Sequence, residues 1–168
     1  MALAWGFTRT ELINAVVTGL IGDGGLTAAG VRIYKGRTSA MSPSAGDVFP
    51  AILVWSGQSS DQNILDACTT PAEYEKTWSF TTDLRVVLGA SSEDSDLDEA
   101  LDVLEEQVRA VIMGDAVSVG GSPWSSNLDQ FEQIAGVSAF YDDHVNGSDG
   151  KATRAALTFT CTSMIKYG

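Results

Sequence analysis

The chain has 168 residues, 44% of them hydrophobic and 19% charged, with 22 acids against 10 bases for a net charge of −12. That length fits one domain over residues 1–168, large enough to bury a core without disulfides or metal. The acidic balance excludes a surface that wraps nucleic acid tightly, because phosphate binding needs clustered Lys and Arg. No stretch approaches the ~20 apolar residues of a membrane-spanning helix, residues 1–7 carry no secretory pattern, and Cys68 and Cys161 are too few for a disulfide scaffold and are expected as buried thiols.

Residues 8–21 are predicted as a helix. Thr8 and Glu11 have capping-box spacing, and Leu12, Ile13, Val16, Val17, Leu20 and Ile21 form a narrow apolar stripe. Gly22-Asp23-Gly24-Gly25 stops it. Val31 to Tyr34 is a short strand, and residues 35–47, rich in Gly, Ser and Pro, are a loop. Phe49 to Trp55 is a continuous apolar run entered through Pro50, the pattern of a strand covered on both faces. Residues 58–71 are polar and read as irregular.

From Tyr74 to Leu88 apolar and polar residues alternate, which predicts a long half-buried strand. At ~3.3 Å per residue it reaches about 50 Å, so it either bends or projects as a hairpin arm. Residues 95–113 form a second amphipathic helix, capped by Ser95 and acidic in its first turn at Asp96, Asp98 and Glu99. Residues 116–128 form a loop. Residues 130–143 and 153–167 are strands joined by the turn-rich segment 144–150. The order α, β, β, β, α, β, β is that of an α+β fold: a mostly antiparallel β-sheet with two amphipathic helices packed on one face.

Few residues invite chemistry. Asp94, Asp96, Asp98 and Glu105 match EF-hand offsets, yet Glu99 stands where glycine is needed and the helical stripe occupies the same residues. His144, the sole histidine, lies beside Asp142 and Asp143 with no GxSxG serine to serve. No phosphate loop, dinucleotide motif or metal-spaced Cys/His set is present, so neither cofactor nor metal is expected. Trp55 and Trp78 are expected in the core; Trp5 and Trp124 either staple a chain segment or anchor an interface. Arg32, Lys35 and Arg37 form a small basic cluster, either a solvated loop or a surface that meets Asp94, Asp96 and Asp98 of a neighbouring copy.

Four segments together carry a family likeness. They are the opening helix leading through glycines to Val31-Arg32-Ile33-Tyr34-Lys35-Gly36-Arg37, the strand Phe49 to Trp55, the long strand 74–88 running into helix 95–113, and a closing hairpin ending Leu157-Thr158-Phe159-Thr160-Cys161-Thr162. This order resembles the tail-terminator (tail completion) family of long-tailed bacteriophages. The resemblance implies a virion protein assembled in the host cytoplasm and placed at the head-proximal end of the tail. It implies a hexameric ring that ends polymerisation of the tail tube protein and joins the head connector or neck. DNA would pass through the lumen without specific binding, and no catalytic residue is carried over. The loops 35–48, 56–74 and 144–150 are candidate contacts, since loops carry much recognition. A tail tube or head–tail joining protein, and an enzyme or ligand-binding domain with a convergent polar pocket, are the competing readings.

Overall fold

In the computed structural model of the chain, residues 2–37, 40–63, 73–114, 124–147 and 149–168 are described. The elements run β1 (Leu3–Trp5), α1 (Arg9–Gly22), α2 (Gly24–Ala28), β2 (Arg32–Lys35), a 3-10 turn at Pro43–Ala45, β3 (Ala51–Asn63), β4 (Glu73–Leu88), α3 (Asp94–Met113), β5 (Phe131–Tyr141), β6 (Val145–Gly147) and β7 (Gly150–Tyr167). The fold is α+β, as expected, with one mostly antiparallel seven-stranded sheet. Laterally the sheet runs β2, β3, β4, β7, and β1, β5 and β6 share the far edge of β7. Only β2 and β3 pair in parallel.

The long strand is not bent out of the sheet. β4 pairs with β7 from Glu73↔Lys166 to Leu88↔Lys151, and with β3 from Ala51↔Arg85 to Asn63↔Tyr74, with a register shift between Ser56 and Ser59. The segment 58–63, read from sequence as irregular, is therefore strand. Its serines and glutamines have no β signal of their own, and the ladder to β4 holds it extended. The rest of that polar segment, with Cys68, and most of the 116–128 loop lie outside the described residues.

Alternation decides the two faces. Ile52 and Val54 on β3, Trp78, Phe80, Leu84 and Val86 on β4, and Ala155, Leu157, Phe159 and Cys161 on β7 point to one side and join a single buried cluster. α1 adds Leu12, Ile13, Val16 and Leu20 to it, and α3 adds Leu97, Leu101, Leu104, Val108 and Ile112. Both predicted helices thus pack on one face. α1 has the expected box, with Thr8 accepting from Glu11 N and Glu11 accepting from Thr8 N. α3 starts one residue earlier than predicted, after Glu93 rather than on Ser95, and Asp96 accepts from the Glu93 N–H. α2 was not foreseen: Asp23 ends α1 and at once caps this five-residue helix through Leu26 N.

The first four residues of β3 are buried on both faces: Ile52 and Val54 towards the helices, Ala51 and Leu53 on the opposite side, all fully covered. Gly19 sits mid-helix in α1 because a Cβ there would lie 2.4 Å from Trp124 Cβ. Gly150, at φ +115°, starts β7 where a Cβ would strike the Leu88 carbonyl oxygen at 2.1 Å.

Candidate assembly surfaces

Of the sequence-predicted residues, Trp124 moves inward. It is 3% exposed, packs edge-on to Phe80 and Phe131, and donates its indole N–H to the Ile112 carbonyl at 3.0 Å. Of its two readings the interface anchor is corrected: the ring is used up inside the chain. Trp78 is core and bonds Ser163 Oγ at 2.7 Å, whereas Trp55 is only half-buried.

Arg32 and Lys35 lie on β2, whose outer edge pairs with no strand among the described residues, and Arg37 follows two residues after it. Arg37 reaches Asp47 at 2.6 Å, and this guanidinium holds the Asp47 carboxyl below the usual range. Lys35 bonds Asn14. Arg32 is exposed, 6.0 Å from the Tyr34 ring. Val48, 49% exposed, adds an apolar contact beside the Tyr34 hydroxyl, to which its N–H donates.

Of the acids at the α3 start, Asp96 lines a groove with Val31 and Pro50, whereas Asp94 and Asp98 face His144 and Lys151. His144 places one ring nitrogen 2.7 Å from Asp98 and the other 3.8 Å from Asp94, and Lys151 reaches Asp94 at 3.2 Å. The Asp98 bond raises the His144 pKa, and the Lys151 bond lowers that of Asp94. Glu105, one turn pair further on, accepts from Tyr141 Oη and Arg109, so it cannot close a calcium loop with Asp94. Residues 94–105 are helical throughout, which scatters the four EF-hand-spaced carboxylates onto separate partners. Among the described residues no group of three or more His, Cys, Asp or Glu is placed to hold a metal.

Next to this corner the border formed by β5 and β6 is apolar and acidic. Phe140 and Val145 are each 62% exposed and Tyr141 54%, with Asp142 and Asp143 between them. Sequence reading missed this border, since it had no way to separate exposed from covered strand residues.

The sheet face away from the helices is hydroxyl-lined in its middle, with Thr77, Ser79 and Thr81 on β4 opposite Thr162, Thr160 and Thr158 on β7. Towards residues 40–50 it closes on an ion network. Asp83, fully buried, takes Arg154 Nε at 2.8 Å and Arg85 Nη2 at 2.9 Å. A recess of about 540 Å³ lies between α1 and residues 124–129. Its carboxylates are spent on backbone, Glu11 on Thr8 N and Asp129 on Gly6 N, so its polar groups do not converge on a ligand. Cys161 is buried, its thiol pushed up to about 12, and is not a nucleophile at neutral pH.

No protein-family model matches the chain, and no curated protein matches it. Among solved structures, a chain of the virion of a native gene transfer agent (GTA) particle is similar at 13% identity over 96% of this chain and 99% of that chain, with a TM-score of 0.48.

Proposed function

We propose that the chain is a virion structural protein that forms a closed ring on the head-proximal end of a phage tail tube. The ring ends tube polymerisation and offers the surface that receives the head connector. The observation that supports this most is the sheet itself. β3, β4 and β7 run on together to residues 63, 73 and 166, with β5 and β1 beyond β7, leaving the outer edge of β3 beyond Val54 without a strand partner among the described residues. A chain that builds so long an open-edged sheet at 168 residues is shaped to be completed by neighbours. The element order agrees with the tail-terminator resemblance over nearly the whole chain.

In this reading the protein has no catalytic residue and no cofactor. The lumen passes DNA without gripping it, and a net charge of −12 suits a wall that repels phosphate. Negative-stain imaging of the purified protein over a range of concentration tests the proposal. Closed rings of uniform diameter are expected. Long cylinders would reassign the chain to a tube protein.

A further inference from the structure

The two lateral borders of the sheet differ in chemistry and stand at the same height. Through the ladder, Arg32 is level with Ala51, Arg85 and Arg154, and the Arg154 carbonyl accepts from Asp142 N. Lys35 is level with Val54, Thr82, Leu157 and Ala139 by the same route. The basic β2 border therefore lies across the sheet from the segment 139–142, the acidic and apolar end of β5. Strand directions agree as well: β2 runs with β3 and β7, and β5 runs against β7.

We infer that neighbouring copies join head-to-tail through these borders, β2 of one copy adding antiparallel to the β5 end of the next. The inference rests on the ring reading above and names its interface. Arg32 then lies level with Asp142, Tyr34 with Phe140 and Lys35 with Ala139, so the basic border runs along the acidic and apolar end of β5. Three of the seven large hydrophobic residues that the described chain exposes lie on this one border. The two borders are unlike each other, so the contact is heterologous and repeats from copy to copy until it closes. Antiparallel addition also satisfies backbone groups that an open edge leaves to water. The contact differs from a pairing of the basic cluster with the α3 start, where Asp98 is held by His144 at 2.7 Å and Asp94 by Lys151 at 3.2 Å; Asp142 has the longer contact, 3.4 Å to Arg154.

Charge exchange on the full chain tests this, with sedimentation mass as the readout. Arg32→Glu with Lys35→Glu, and separately Asp142→Lys with Asp143→Lys, should each lose the assembled species. Mixing the two variants should restore it, since each border then finds an opposite partner. A second variant, Lys35→Cys with Ala139→Cys and Cys68→Ser, should give a ladder of disulfide-linked multimers on oxidation. Wild-type assembly that survives both reversals without any ladder would overturn the border pairing and leave ring formation standing. A wild-type protein that is monomeric at every concentration would remove the ring reading and this interface together.

Discussion

At the scale of single residues, the groups that most resemble a site are structural. Asp83 is a fully buried side chain, and it is paired there with two guanidiniums, those of Arg85 and Arg154. Removing its charge takes the carboxylate partner from Arg85 and leaves Arg154 only its 3.4 Å contact to Asp142. Breaking one side of a buried ion network costs about 3–5 kcal/mol, so Asp83→Asn should lower the unfolding free energy by that order, read from urea titrations by far-UV circular dichroism. His144 carries the pH dependence. Its pKa is raised chiefly by the bond to Asp98, so the protonated pair stabilises the folded chain fully below the ordinary histidine value near 6.5 and is lost as pH rises through the raised folded value. As the sole histidine, its ring proton gives one NMR titration; Asp98→Asn should move that midpoint downward, and an unmoved midpoint would refute the pairing. Arg32, Lys35 and Arg37 were visible in sequence as bases in an acidic chain. Phe140 and Val145 were not, because their exposure is a property of where the sheet ends.

At the scale of elements, whatever carried its own periodicity was legible. α1 and α3 show their stripes, β4 and β7 their alternation, and the Phe49 to Trp55 run its double burial. The elements that escaped are those whose form is imposed from outside. Residues 56–63 are extended only because β4 offers a ladder. α2 is a single capped turn among glycines, and β1 is three residues pinned against Lys166 and Tyr167. Trp124 sat in a segment with no pattern, and its core role comes from the notch that Gly19 leaves in α1. That contact predicts an unusual helix substitution. Gly→Ala in a helix interior normally gains up to about 1 kcal/mol, but Gly19→Ala should instead lower the thermal midpoint, because its methyl meets the Trp124 Cβ. A stabilised variant would show that the indole does not dock there.

At the scale of the molecule, one sheet carries its helices on a single face and leaves two unlike borders. The acids spread over the solvent side of α3 and the β5 border, while the open sheet face is lined with threonine hydroxyls. Heterologous borders close only for one rotation per copy, and a tail-terminator ring calls for six. Native mass spectrometry of the intact assembly measures that number directly. A single species six times the 17.7 kDa chain is the predicted result, and a continuous series of masses or a lone 17.7 kDa peak would contradict the closed ring.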